Sequence, residues 1–318
     1  LRNQVSFMLS ACNFYMPIFE EALDAYGLPL ELRYLPIIES ALNPSAVSRA
    51  GASGLWQFMI GTGKIYGLES NSLVDERRDP IKATWAAARY LKEMYDIYGD
   101  WNLVIAAYNC GPGTINKAIR RANGETDYWK IYNYLPKETR GYVPAFIAAN
   151  YVMTYYCDHN ICPMETNIPA STDTVQVNQN LHFEQIADLC NVPLDQIKSL
   201  NPQYKKQMIP GDSKPYTLRL PIDAISTFID KQDTIYAHRA DELFRNRKTV
   251  TVKDITPATR KTTSAVAGKG NLTYHTIKSG DTLSTIAGKY GVTIKDIQRW
   301  NGMSSTKIAA GKRLKIYK

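Results

Sequence analysis

Within residues 31–59 one carboxylate stands where a charge is costly. Glu39 follows the apolar run Leu35-Pro36-Ile37-Ile38, and a carboxylate among such neighbours is expensive to desolvate unless it is protonated or paired. Four residues on comes Asn43-Pro44, and the residue before a proline is pushed away from helical geometry. A helix over about 30–42 would therefore carry Glu39 in its last turn, where the carbonyl end of the dipole raises a carboxyl pKa. A carboxyl that stays protonated near neutral pH can serve as a general acid. Taken alone, the same residue reads as a surface glutamate on an amphipathic helix, so its surroundings have to decide.

Residues 44–63 collect Pro44, Gly51, Gly54, Gly61 and Gly63 around Leu55-Trp56 and Phe58-Met59. That glycine density predicts a folded loop making close backbone approaches, with a short helix from about 55. A phosphate-binding loop is rejected, because GxxxxGK[ST] is missing and no strand precedes it. Around this loop the pattern is helical. Asn13 to Gly27 repeats apolar residues every three or four positions and ends on a glycine cap. Asp79-Pro80 opens another helix with Pro80 at its first position, and Trp101 to Tyr108 runs into the stop Asn109-Cys110-Gly111-Pro112-Gly113. Further helices are expected over 114–122, 129–132 and 140–156. Nothing before residue 160 alternates like a strand, so this region reads as all-α with seven to nine helices.

After Pro163–Pro169 the composition changes. Residues 173–221 read as strand–helix–helix–strand, and the order recurs at 272–317. Ile186-Ala187-Asp188-Leu189-Cys190-Asn191-Val192 aligns with Ile286-Ala287-Gly288-Lys289-Tyr290-Gly291-Val292, and Asn201 with Asn301, which makes an internal repeat of two small βααβ modules. The expected organisation is a helical domain over 1–165, modules over 170–222 and 272–318, and a linker over 223–271.

The chain of 318 residues is 44% hydrophobic and carries a net charge of +8, unevenly spread. Residues 1–235 hold 21 Lys+Arg against 25 Asp+Glu, whereas residues 236–318 hold 17 against 5. Such a basic region suits nucleic acid, an anionic membrane or an anionic wall polymer, or merely keeps a linker solvated. The five cysteines lack CxxC or Cys/His spacing, which argues against a zinc site. Cys157 and Cys162 are close enough in sequence for a bridge that sequence cannot establish. No stretch reaches the roughly 18 apolar residues of a membrane span.

Four ordered motifs, Glu39-Ser40, Gly54-Leu55-Trp56-Gln57, Ala107-Tyr108-Asn109-Cys110-Gly111 and Glu138-Thr139-Arg140-Gly141-Tyr142-Val143, resemble those of the soluble lytic transglycosylase family 1 domain, whose fold is similar to goose-type lysozyme. The modules resemble LysM repeats. Tyr274 to Leu283 is close to the LysM opening, while the first module departs from it, with Asn178-Gln179-Asn180-Leu181 in place of Gly-Asp-Thr. The resemblance implies a multidomain chain, an all-α lysozyme-like catalytic domain followed by two α/β LysM modules. It implies a bacterial-envelope enzyme, monomeric and with a lipid anchor outside this sequence, with peptidoglycan strands rather than nucleic acid as its partner.

The implied reaction cuts the β-1,4 bond between N-acetylmuramic acid and N-acetylglucosamine and leaves a 1,6-anhydromuramoyl end. One glutamate, here Glu39, acts as acid and then as base, with no cofactor or metal. Other glycosidases use a pair of carboxylates, and no second acid is expected in a motif: Asp75, Glu76 and Asp79 form the nearest acidic cluster, with Asp79 read as a helix cap. By position, Ser48 and Gln57 would hydrogen-bond sugar groups, Met59 would line the cleft, Tyr108 and Asn109 would shape its floor or touch substrate, and Tyr142 would reach the Glu39 carboxyl. Plainer readings stand beside these: Ser48 and Asn109 as loop caps, Met59 as core filler, Tyr142 as a buried ring with a satisfied hydroxyl. The four histidines lie outside the motifs. Rival functions are a goose-type lysozyme-like hydrolase and a non-catalytic wall-binding protein.

Overall fold

A computed structural model describes residues 2–244 except 167 and 170, and residues 272–317 except 278–280, 302, 304–307 and 309–310. The chain divides into two compact units, Leu1–Pro257 and Ala258–Lys318.

The first unit opens with α1 (Arg2–Ala25), which starts well before the expected residue 13 because Leu9 and Ala11 are also core residues. The helix expected over 30–42 is broken. Leu30–Tyr34 is a 3-10 turn, and α2 (Leu35–Ser40) begins afresh with Pro36 in its first turn. A proline tolerates that position but not a helix interior. Then come α3 (Ile60–Ile65), α4 (Pro80–Tyr98), α5 (Trp101–Cys110), α6 (Pro112–Arg121), α7 (Tyr128–Ile131) and α8 (Lys137–Thr154). Asp79 caps α4, accepting from the amides of Ile81 and Lys82, and Asp100 caps α5 through Leu103. The helix expected from 55 starts at 60, since Gln57 sits at φ +48°, outside the right-handed region. Phe19, Leu35, Leu55, Trp56, Leu91 and Leu103 centre the helical core. All five cysteines are unpaired.

The module that follows contains β1 (Thr172–Val177), β2 (Asn180–His182), α9 (Phe183–Cys190), α10 (Leu194–Leu200), β3 (Met208–Pro210) and β4 (Tyr216–Pro221). β1 pairs antiparallel with β4, and β2 with β3. Residues expected to begin a linker are instead helical: α11 (Ile222–Asp230), α12 (Gln232–Ala237) and α13 (Ala240–Leu243). Phe228 and Ile235 are buried in the module core, and the Gln185 side chain donates to the carbonyls of Tyr236 and His238. The rest of the expected linker lies outside the described residues.

The second unit repeats the order with β5 (Leu272–Thr276), α14 (Leu283–Tyr290), α15 (Ile294–Trp300) and β6 (Arg313–Tyr317), and β5 pairs antiparallel with β6. The aligned asparagines do the same work in both modules. Asn201 donates to the carbonyls of Ile197 and Arg219 and accepts from the Arg219 amide. Asn301 donates to Ile297 and Lys315 and accepts from the Lys315 amide. Each ties the end of a helix to the closing strand, so the repeat in sequence is a repeat in hydrogen bonding.

Candidate active site

Glu39 is the next-to-last residue of α2, which closes on Ala41 in the left-handed region. Its neighbour Ser40 donates its hydroxyl, within reach of both the Pro36 and the Leu55 carbonyl, and so fixes the helix end to the glycine-rich loop. The Glu39 carboxyl faces a cleft of about 450 Å³, and Ser48, Gln57, Met59, Tyr108 and Asn109 line the same cleft. Tyr142 comes from α8, and its hydroxyl donates to Glu39 Oε1. The seven residues singled out from sequence therefore converge, although 103 positions separate Glu39 from Tyr142.

Burial pushes the Glu39 pKa from its ordinary 4.5 up to about 7, the Tyr142 hydrogen bond opposes this, and the negative charge of Glu138 adds to it. Glu138 also lines the cleft. The expectation of no second acid among the motifs is thereby corrected: Glu138 opens the last of them and stands on the exposed first turn of α8, one helical turn before Tyr142. Burial, and then the Glu39 charge, raise the hydroxyl pKa values of Tyr108 and Tyr142 well above the ordinary range. Both therefore remain hydrogen-bond donors throughout the neutral range.

The other lining residues are held by short-range bonds. Ser48 Oγ accepts from the Ala52 amide at 3.0 Å, the loop-cap geometry of its plainer reading, and a hydroxyl that accepts still has its proton to donate. Gln57 spends its amide nitrogen on the carbonyls of Gly54 at 2.8 Å and Ala46 at 3.3 Å, which leaves the amide oxygen as its acceptor. Met59 is 46% exposed, so it is not core filler. Tyr108 donates to the Trp56 carbonyl at 2.7 Å, and Asn109 Oδ1 accepts from the Thr139 hydroxyl at 2.9 Å. Together these place a protonatable carboxyl, held from behind by the Tyr142 hydroxyl, and the side chains of Ser48, Gln57 and Asn109 along one groove. Such a set suits protonation of a leaving oxygen flanked by hydroxyl-rich ligand.

Comparison with protein families matches residues 16–131 to "Transglycosylase SLT domain", residues 171–237 to "Lytic transglycosylase MltD, LysM-like domain" and residues 275–316 to "LysM domain". The helical domain is a transglycosylase SLT domain. Among curated relatives, the chain is 32% identical over 294 residues to membrane-bound lytic murein transglycosylase D of Escherichia coli, a match covering 91% of this chain and 60% of that protein. It is 33% identical over 124 residues to the soluble lytic murein transglycosylase of the same species, covering 37% of this chain and 19% of that one. The chain thus spans about three fifths of the length of the first relative. The crystal structure of the 70 kDa soluble lytic transglycosylase of Escherichia coli aligns at 29% identity with a TM-score of 0.39, over 45% of this chain and 24% of its own. In fold class the protein is a helical SLT domain followed by small LysM modules of strands and helices.

Two features of the SLT domain site escaped the sequence reading. Tyr90 of α4 lines the cleft and packs between Tyr66 and Tyr108, with ring centroids 5.2 and 5.5 Å away. In sequence Tyr90 reads only as part of the close-packed face of α4, beside Ala86, Ala87 and Leu91. The second is Arg77, fully enclosed behind the loop. It donates to both oxygens of Asp75 at 2.8 Å and to the carbonyls of Gly51 at 2.8 Å and Phe58 at 2.9 Å. Gly54 lies so close to this strut that a Cβ there would sit 1.7 Å from the Arg77 carbonyl oxygen. Nothing in the spacing of Arg77-Arg78 announces this, because a buried arginine reads in sequence like any surface one.

Proposed function

We propose that the protein is a peptidoglycan lytic transglycosylase that cleaves the β-1,4 bond between N-acetylmuramic acid and N-acetylglucosamine, with Glu39 as its single acid–base group. The observation that carries this is the Glu39 carboxyl, pushed up to about 7 by burial and held by the Tyr142 hydroxyl at the cleft. At that pKa the group is half protonated near neutral pH, which suits one residue that must both give and take a proton. Glu39 gives its proton to the glycosidic oxygen as the C1–O bond breaks. The resulting carboxylate then takes the proton of the muramoyl C6 hydroxyl as that oxygen bonds to C1. The proton lost in the first step is regained in the second, and no water is consumed. Ser48, Gln57 and Asn109 would hold sugar hydroxyl and acetamido groups, Met59 and Tyr108 would shape the walls, and Tyr142 would orient the carboxyl.

The reading puts the enzyme in the bacterial envelope, where its polymer is, acting as a monomer and held at the membrane by a lipid outside these residues. Among the described residues, no helix is long and apolar enough to cross a membrane. The LysM module over 275–316 would hold the wall glycan.

Glu138 favours a second reading. Two carboxylates on one cleft are the equipment of a hydrolase, and Glu138 could activate a water in place of the C6 hydroxyl. Mass spectrometry of digested peptidoglycan decides between them. Transglycosylation leaves muramoyl ends lighter by one water than hydrolysis does, and predominantly reducing ends would overturn the first reading. Glu39→Gln should abolish release in either case, and a variant that cleared wall suspensions as fast as the parent would show that Glu39 is not the acid.

A further inference from the structure

The LysM-like module over 171–237 has a second relationship to the SLT domain, made through the segment 69–79 behind the active-site loop. Leu73 and Val74 of that segment are buried in the core of the module, with Val177, Phe183, Tyr204 and Tyr216, rather than in the helical core. The backbone joins as well. Val74 bridges Tyr204, the Asp75 amide donates to the Gln203 carbonyl at 2.9 Å and the Lys205 amide to the Leu73 carbonyl at 2.8 Å. Side chains close the seam. Lys205 Nζ donates to the Asn71 carbonyl at 2.8 Å and lies 3.6 Å from Asp75 Oδ2, while Tyr216 and Lys214 both reach Glu69.

Asp75 links this seam to the cleft. It is 1% exposed, and it receives Arg77, whose guanidinium also holds the carbonyls of Gly51 and Phe58. Those two residues bracket the stretch that presents Gln57, and Met59 follows Phe58 directly. The path from module to cleft is therefore Lys205, Asp75, Arg77 and then the loop, each step an ion pair or a hydrogen bond. The two modules differ at this point. After the aligned asparagines, one has Pro202-Gln203-Tyr204-Lys205 and the other Gly302-Met303-Ser304-Ser305.

We infer that the first LysM-like module is a brace for the active-site loop and that Lys205 is a positioning residue for the transglycosylase site. Removing the ammonium leaves the buried Asp75–Arg77 pair as the end of the chain of contacts, and a buried pair that loses a partner is costly. The loop over 51–58 then loosens while the helical core stays. The inference rests on the proposed reaction only for its kinetic readout.

The test uses the full chain with Lys205→Met, Lys205→Arg and, at a distant site of the same module, Lys198→Met. Hydrogen exchange is measured at the amides of Ser53, Gly54 and Gln57, which bond to Phe58, Ala46 and Gly54, and at those of α5. Steady-state cleavage of soluble glycan strands gives kcat and KM. The expected result for Lys205→Met is about ten-fold faster exchange at 53–57, an unchanged α5, and a several-fold rise in KM with the pH profile of kcat unmoved. Lys205→Arg and Lys198→Met should match the parent. Unchanged exchange at 53–57, or an equal rise in α5, overturns the inference. If Lys205→Met yields no folded protein, Tyr216→Phe combined with Lys214→Met cuts the same seam and is read by the same criteria. A parent that yields reducing ends defeats the proposed reaction but leaves the exchange pattern to decide the brace.

Discussion

The raised Glu39 pKa carries a stability cost that can be measured without any substrate. An acid whose folded pKa lies above its unfolded value binds its proton more tightly in the native state. Its contribution therefore favours folding at low pH and is lost as pH rises from the unfolded value through the folded one. With an ordinary value of 4.5 and a native value of about 7, the window runs from mildly acidic to neutral pH. Linkage over that window gives a loss of about 2.5 kcal/mol between pH 5 and pH 8. That is an upper figure, because Glu39 keeps a face on the cleft and solvent screens it there. Glu39→Gln removes the titration while keeping the shape, so the variant should gain on the parent by about 1–2.5 kcal/mol as pH is raised. Other titrating groups cancel in the difference. Urea unfolding followed by tryptophan fluorescence reads the right domain, since Trp56, Trp85, Trp101 and Trp129 all lie in the helical part of the chain. A difference between variant and parent that is the same at pH 5 and pH 8, within about 0.5 kcal/mol, would mean that Glu39 ionises normally and that burial does not poise it.

The two groups acting on Glu39 push it in opposite directions, and their variants should separate. Tyr142→Phe removes the bond that favours the ionised form, so the alkaline limb of the pH–rate profile should move up by about one pH unit. Glu138→Gln removes a charge that disfavours the ionised form, so the same limb should move down; shifts of the same sign would refute the assignment. Gly54→Ala drives a Cβ into the Arg77 carbonyl and should destabilise the helical domain by about 3 kcal/mol or more. Gly51→Ala, also at positive φ but with open space around it, should cost only about 1–2 kcal/mol; equal losses in melting temperature would argue against the close approach.

What could be read from sequence follows local chemistry. Asp79-Pro80 and Asn109-Cys110-Gly111 mark a start and a stop that need only their own backbone, and both are found where expected. Pro36 was harder, because a proline in an apolar helical pattern can interrupt one helix or begin another. Gln57 broke the expected helix from 55 through a left-handed backbone that glutamine does not advertise. The convergence of Glu39, Gln57 and Tyr142 is a tertiary fact that motif resemblance anticipated. A helix dipole is one local reason to expect a raised Glu39 pKa, but α2 is only six residues long, and burial with Glu138 alongside supplies the effect. Leu73 and Val74 look like core residues of the domain they belong to, yet they fill the core of the neighbouring module. No local pattern distinguishes these outcomes.

The two modules share a frame and differ in what they offer outward. Both are closed by the same asparagine clamp, but residues 171–237 hold 6 Lys+Arg against 8 Asp+Glu, and residues 272–318 hold 9 against 2. The first spends Tyr204, Lys205 and Tyr216 on contact with the SLT-domain segment that carries Leu73 and Val74. The second belongs to a separate compact unit with its own core of Ile277, Leu283, Ile286, Ile297, Leu314 and Ile316. A module that folds around its own core can be removed without opening the SLT domain. Its positive charge is suited to an anionic wall polymer through contacts that salt weakens, since the Debye length falls from about 10 Å at 0.1 M to about 3 Å at 1 M. Deleting 272–318 should therefore reduce sedimentation with insoluble peptidoglycan and remove most of its salt dependence, while kcat/KM on soluble glycan strands stays within about two-fold of the parent. If sedimentation is unchanged, retention belongs to the first module or the cleft. If cleavage of soluble strands collapses, the C-terminal module is part of the catalytic fold and not an independent anchor.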